Sequence, residues 1–291
     1  MTHKNLFTRR AALRTIGAGG FISLSAASLR GDDPAAGYKA KGNIKQSVCR
    51  WCFGSIKLEE LAAQAAKMGF KSVELLGPDE YKIVKSFGLT CAMVRCRSIP
   101  DGLNRPKNHD AIEQELRTHI DFAAAEGIPN VICMSGNRKG MADAEGLENC
   151  VIGLKRVIGY AEKKKVTICM EGLNSKVDHK DYMYDLTKWG VALAKKVGSE
   201  RFKLLYDIYH MQIMEGDVIR TIRESKDYIG HYHTGGVPGR AEIDDTQELH
   251  YPAIVKAILD TGYKGFLGQE FIPTRPEKLA SLAQGFRICD V

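Results

Sequence analysis

Val166-Thr167-Ile168-Cys169-Met170-Glu171 is a short apolar run closed by a carboxylate. The same arrangement returns three times further on. Lys203-Leu204-Leu205-Tyr206 runs into Asp207, Ile229–Tyr232 into His233, and Gly265–Gln269 into Glu270. Runs this short, apolar and free of strict alternation are read as strands covered on both faces. Toward the N-terminus the same kind of run occurs at Ile44–Cys49, Ser72–Leu76, Leu89–Val94 and Asn130–Met134. Between the runs the apolar residues change to a helical period. Leu58, Leu61, Ala62, Ala65 and Met68 form one such stripe; Ile112, Leu116, Ile120 and Ala123 form a second; Leu147, Val151, Leu154 and Ile158 form a third. Further helices are predicted near 182–197, 215–225, 251–261 and 276–287, and Gly69, Gly127, Gly198 and Gly262 stand where helices should end. Eight strand–helix units in a single domain over residues 44–291 predict an α/β fold of the (β/α)8 TIM-barrel class. A doubly wound open sheet is the alternative, but it usually carries a glycine-rich phosphate loop after its first strand. Here that strand leads into Cys49-Arg50-Trp51-Cys52-Phe53-Gly54.

Chemistry in such a barrel sits at the C-terminal ends of the strands. Glu171, Asp207, His233 and Glu270 stand at four successive ends. A single acid there is more often a cap or an ion-pair partner. Three carboxylates converging with an imidazole would repel one another strongly unless a cation neutralised them. Oxygen-rich ligation with one nitrogen suits Mg2+, Mn2+ or Co2+. Close by are His210, three residues past Asp207, and Arg240, after Val237-Pro238-Gly239; either could hold a substrate oxygen or carboxylate. Asn174 and His179 follow Glu171 as weaker substrate-binding candidates, and Trp51 is a candidate wall of the mouth or a core residue.

Of 291 residues, 44% are hydrophobic and 26% charged, a composition that excludes disordered and collagen-like chains. The net charge of +7 is mostly local, because residues 1–30 hold five basic residues and no acid. The remainder, near +2, asks for neither nucleic acid nor a membrane surface, and no apolar run beyond residue 43 could span a bilayer. Of the eight cysteines, Cys49 and Cys52 form a lone C-x-x-C with no second pair to complete a zinc site. The others fall largely in apolar runs and read as buried thiols.

Thr8-Arg9-Arg10-Ala11-Ala12-Leu13-Arg14, followed by a weakly apolar stretch to Leu29, resembles a twin-arginine signal peptide. Residues 1–30 are therefore expected to be an export signal and 31–43 a flexible lead-in, with a periplasmic location; a cytoplasmic protein with a basic N-terminus is the alternative.

Glu171-Gly172-Leu173-Asn174, Tyr206-Asp207-Ile208-Tyr209-His210-Met211-Gln212, His231-Tyr232-His233 with Val237-Pro238-Gly239-Arg240, and Gly268-Gln269-Glu270-Phe271, in this order and spacing, resemble the hydroxypyruvate isomerase family. That family belongs to the xylose-isomerase-like TIM barrels, with ketose 3-epimerases as cousins, and the resemblance covers roughly residues 44–289. It implies Glu171, Asp207, His233 and Glu270 as metal ligands, Glu171 and Glu270 as the pair that moves protons, and His210 and Arg240 as substrate contacts. Departures exist: Gly172 stands where many relatives have Pro, His233 where some hydroxypyruvate isomerases have Gln, and Val177 where epimerases often place another Glu. The implied reaction interconverts an α-hydroxy-carbonyl pair, hydroxypyruvate and tartronate semialdehyde foremost, through an enediolate on a divalent metal. Proton return to the same carbon would instead give an epimerase of a larger ketose, and loss of chemistry would give a sugar-binding barrel. The expected partner is a small α-hydroxy-carbonyl molecule, with no nucleic acid; homo-oligomerisation is left open.

Overall fold

Eight parallel strands carry the molecule: β1 (Lys45–Cys49), β2 (Ser72–Glu74), β3 (Met93–Val94), β4 (Asn130–Cys133), β5 (Thr167–Glu171), β6 (Phe202–Asp207), β7 (Ile229–Thr234) and β8 (Phe266–Gln269). The computed structural model describes residues 37–96 and 98–291. The strand order is β2-β1-β8-β7-β6-β5-β4-β3, and parallel bridges Ser72–Thr90 and Leu76–Val94 join its two ends, so the sheet is a nearly closed barrel. Among the described residues nine α-helices lie between the strands and a tenth follows β8: α1 (Leu58–Met68), α2 (Pro78–Ser86), α3 (His109–Glu126), α4 (Asp143–Lys155), α5 (Ile158–Lys164), α6 (Thr187–Val197), α7 (Ile208–Met214), α8 (Val218–Ser225), α9 (Tyr251–Asp260) and α10 (Lys278–Cys289). This is the TIM-barrel arrangement that the alternation of runs predicts. No helix of the described residues is long and apolar enough to cross a membrane.

The helices bury the stripes that define them. In α1, Leu58, Leu61, Ala62, Ala65 and Met68 are all buried, and Gly69 ends the helix in the left-handed region at φ 103°. The strands contribute Val48, Val131, Ile168, Leu204 and Leu267 to the same core, each fully buried. At ~1.5–3 kcal/mol per large apolar side chain buried, this core is the main force holding the strand ends in place.

Several boundaries differ from the sequence expectation, each for a local reason. The third strand shrinks to two residues because side chains interrupt its ladder. The Cys91 thiol donates to the carbonyl of Met93, and the Ala92 amide donates to Ser72 Oγ. The helix expected from 182 begins only at Thr187. Residues 182–185 are held elsewhere: the Met183 amide donates to the Gly136 carbonyl, the Tyr184 amide to Ser135 Oγ, and the Tyr182 hydroxyl to the carbonyl of Glu171. The stripe Leu147–Ile158 is split into α4 and α5 at Arg156, which turns outward to pair with Asp110 and Glu113 at 2.6 and 2.8 Å. The helix expected over 215–225 begins at Val218. The helices α2 and α7 are additional to those expected from periodicity.

The export signal expected in residues 1–30 lies outside the described residues. Of the lead-in expected to be flexible, residues 37–43 are described, and they are tied to the C-terminus. The Tyr38 hydroxyl and the amides of Lys41 and Gly42 all donate to the Asp290 carboxylate, at 2.6–3.0 Å. The Tyr38 ring also packs edge-on against Phe286.

Candidate active site

Strand geometry brings the four strand-end residues together. Glu171 closes β5 and Asp207 closes β6, His233 is the penultimate residue of β7, and Glu270 directly follows β8. All four are buried, and each offers a ligand atom within 4.8 Å of the others. Gly268 makes the space: a Cβ there would stand 2.7 Å from both the His233 ring and the Glu74 carboxylate. His233 Nδ1 faces Glu270 Oε2 at 2.7 Å and Glu171 Oε1 at 3.3 Å. Three carboxylates and one imidazole in a buried cluster form a donor set that fits a hard divalent cation such as Mg2+, Mn2+ or Co2+. The guanidinium of Arg240 already lies against two of these acids, 2.6 Å from Asp207 Oδ2 and in close contact with Glu270 Oε2, so positive charge is what the cluster attracts.

The residue that sequence reasoning missed is Glu74, at the end of β2. It is fully buried, and its Oε1 lies 2.6 Å from His233 Nε2 and 2.9 Å from His231 Nε2. The Cys49 thiol lies 3.6 Å from the same oxygen. A carboxylate behind an imidazole takes the proton of the far nitrogen and turns the near one toward the metal position. His231 and His233 point to the same side of β7 because they are two residues apart. The available signal was a glutamate inside the apolar run Ser72–Leu76, opposite no evident cation.

The electrostatics separate the two glutamates. Burial and the neighbouring Glu270 charge push Glu171 up to about 7. Burial also works against ionised Glu270, yet His233, Arg240 and the Trp51 indole outweigh it and hold Glu270 well below the usual carboxylate range. Trp51 Nε1 donates to Glu270 Oε1 at 2.7 Å. Burial pulls His233 down, but Cys49, Glu270 and Glu171 around it hold it well above the usual imidazole value.

The other candidates divide. His210 is buried next to the cluster because Asp207 caps α7, its Oδ1 accepting the His210 amide at 3.2 Å. Burial holds the ring well below its usual value, so it is neutral. Nδ1 faces the Asn174 amide at 3.1 Å and Nε2 faces Arg240 Nη1 at 2.7 Å. Arg240 lies on a tight loop where Gly239 and Arg240 both have positive φ, 86° and 55°. Its guanidinium sits 5.7 Å from the Trp51 ring centre and 5.0 Å from that of Tyr209. His179 lines the cavity and its ring meets His210 at 5.3 Å. Trp51 is at the mouth, half exposed, and not in the core. Asn174 is fully buried and is not among the residues lining the cavity. Its Oδ1 accepts the amides of Val177 and Asp178, and its Nδ2 lies 2.7 Å from both Asp178 Oδ2 and His210 Nδ1. It shapes the loop and sets His210, because a short amide side chain competes well for nearby backbone groups.

The loop carrying Arg240 is anchored by Glu242. Its carboxylate accepts the Thr274 amide and hydroxyl at 2.9 and 2.8 Å, the Arg275 amide at 3.2 Å and the Ser281 hydroxyl at 2.9 Å. Burial pushes this carboxyl up, but these donors and its own backbone outweigh burial and hold it at about 2. A depressed carboxylate contributes stability that is present above its unfolded value, ~4.3, and lost as pH falls toward 2. Glu242→Ala is therefore expected to destabilise the protein by ~1–3 kcal/mol at pH 7 and much less at pH 2.5. Urea denaturation at the two pH values checks this, and an equal loss at both would remove the charged form from the account.

A cavity of about 950 Å³ opens over the cluster, lined by Glu171, His210, Arg240 and Glu270 on the ligand side. Comparison with known proteins bears on the fold and the family. The model of the family described as xylose isomerase-like TIM barrel matches residues 62–288. The 2-oxo-tetronate isomerase of Cupriavidus necator is 30% identical over 241 residues, covering 74% of this chain and 87% of that protein. The hydroxypyruvate isomerase of Escherichia coli is 25% identical over 234 residues, covering 76% and 90%. Among solved structures, the AP endonuclease, family 2, from Brucella melitensis matches with a TM-score of 0.74 at 23% identity, covering 83% of this chain and 98% of that one, a likeness that bears on the fold alone.

Proposed function

Because this chain belongs to the xylose isomerase-like TIM barrel family, we propose that it is a metal-dependent isomerase of an α-hydroxy-carbonyl acid, of the type that interconverts hydroxypyruvate and tartronate semialdehyde. The observation that carries the reading is the buried Glu171–Asp207–His233–Glu270 cluster on the floor of an open cavity. Both relatives named above are isomerases by name, which supports the same class.

Glu171, Asp207, His233 and Glu270 would hold the ion, which supplies Lewis acidity toward the substrate's carbonyl and hydroxyl oxygens when bound. Glu270, ionised and oriented by Trp51, is placed to take the proton from the carbon next to the carbonyl. Glu171, across the cluster, is placed to return one to the neighbouring carbon. Arg240 presents a fixed cation to the substrate carboxylate, and His210 lies against that guanidinium, its Nε2 2.7 Å from Nη1. The low-dielectric floor strengthens each of these contacts.

Deuterium uptake tests the reading. The full chain, supplied with Mg2+, Mn2+ or Co2+ in D2O, is incubated with hydroxypyruvate and with a panel of ketoses, and the products are read by mass spectrometry. Metal-dependent label in hydroxypyruvate with formation of tartronate semialdehyde is the expected result. Label in a ketose alone would move the protein to the epimerase branch, and no label in any of them would overturn the proposal. Arg240→Ala is expected to raise KM by ~10- to 100-fold, the range for a hydrogen-bonded charge, and to change the metal Kd less. Steady-state kinetics beside a metal titration checks this; an unchanged KM would remove Arg240 as a substrate contact.

A further inference from the structure

The barrel mouth has two unlike halves. The candidate ligands all stand on β5–β8, while the side formed by β2–β4 and the loops after them presents Leu75, Cys96, Ile99, Ile132 and Met134 to the same cavity. This wall offers hydrocarbon and sulfur where a substrate's far end must lie. Among the described residues, three polar side chains at its rim have partners on the protein. Arg95 pairs with Glu80 at 2.9 Å, Ser98 Oγ donates to Asp101, and Arg50 Nη1 donates to the carbonyl of Phe53. A polyhydroxylated chain lying against Leu75, Ile99, Ile132 and Met134 would lose water without gaining partners there. The rim continues in the same character. Among the described residues five large apolar side chains are exposed, and three of them, Trp51, Val177 and Ile272, line this cavity. A cavity of about 950 Å³ is also far larger than a three-carbon acid needs, since sites of ~300–1,000 Å³ hold ligands of drug size.

We propose that the substrate of this site is a hydroxypyruvate substituted at C3 with an apolar alkyl or aryl group, the acid end held on the β5–β8 side and the substituent against the β2–β4 wall. The inference rests on the isomerase reading given above and names its substrate class. For a benzyl substituent the reaction is 3-hydroxy-2-oxo-4-phenylbutanoate to 2-hydroxy-3-oxo-4-phenylbutanoate. The C3–H bond breaks and a C2–H bond forms, while the hydroxyl proton passes from the C3 oxygen to the C2 oxygen. Substrate and product are isomers, so no oxidant or reductant enters.

The test uses unreactive ligands first, so that it does not depend on turnover. The full chain loaded with Mg2+ is titrated calorimetrically with pyruvate, phenylpyruvate and 4-hydroxy-2-oxobutanoate, none of which carries the C3 hydroxyl that the isomerisation needs. Phenylpyruvate is expected to bind ~10- to 100-fold tighter than pyruvate, the gain from burying one aromatic side group. Ile99→Ser, on the half-buried part of the wall, is expected to narrow that ratio several-fold, and the ratio in the unaltered protein stands whether or not the variant folds. Equal affinity for pyruvate and phenylpyruvate, or tighter binding of 4-hydroxy-2-oxobutanoate than of phenylpyruvate, would overturn the proposal. Turnover of the benzyl substrate at a kcat/KM at least tenfold above that of hydroxypyruvate supports it. A preserved ligand ratio with no metal-dependent deuterium uptake from any substrate would overturn the isomerase reading and leave the apolar preference standing, so the two failures are separate.

Discussion

Glu270→Gln is expected to cut turnover by ~10²- to 10⁴-fold, the range for losing a positioned general base, while the barrel remains folded. Glutamine keeps the size of the side chain and an oxygen that can accept from Trp51, so the contact at 2.7 Å survives. What it removes is the negative charge that His233 and Arg240 hold ionised in a buried position. Because Glu270 is also a candidate ligand, metal occupancy must be measured beside the rate. At saturating metal, deuterium uptake from D2O should fall as far as net conversion does. If uptake persisted at the parental rate, the base would be another group, and Glu171 would be the next to replace.

Glu74→Gln is expected to weaken metal affinity by ~10- to 100-fold, the usual cost of losing the group behind a ligating histidine. Glu74 Oε1 accepts from two imidazoles, and its Oε2 is buried with no hydrogen-bond partner. The amide leaves one carbonyl oxygen to serve both histidines and places an unpartnered NH2 at the other position. His233 then loses the charged acceptor that keeps its proton on Nε2 and its Nδ1 directed to the cluster. Competition with a chromophoric chelator gives the affinity, and the visible spectrum of the Co2+-loaded protein reports the ligand field, both without turnover. An unchanged Kd and spectrum would make Glu74 a structural residue only.

The sequence shows the candidate ligands on β5–β8 because each closes or follows an apolar run, and strand ends in a barrel converge by construction. Glu171, Asp207, His233 and Glu270 could be read in that way from spacing alone. Glu74 could not, because its role depends on a partner on β7 that lies far away along the chain, 159 positions on. Asn174 shows a related effect. Its position after Glu171 places it near the site, but only the fold shows its amide turned back into its own loop. Helix starts were legible where propensity decides them, as in α1, and displaced where tertiary hydrogen bonds take the backbone first, as at Tyr182–Asp185 before α6. The short third strand is the same effect within the sheet, with Ser72 Oγ taking an amide that the ladder would otherwise use.

The thiols give the barrel a built-in stopwatch. All eight cysteines are free, seven are buried, and Cys96 is intermediate on the cavity wall. Burial pushes every one of these thiols up, Cys96 to about 12, so the nucleophilic thiolate is scarce in the closed molecule. Alkylation at the seven interior positions must wait for the fold to open, so its rate counts openings rather than surface encounters. Cys96 keeps a different time: reagent reaches it through the mouth, and an occupant seated on the β2–β4 wall should slow it alone. One protein sample therefore carries two clocks, one for unfolding and one for filling of the cavity.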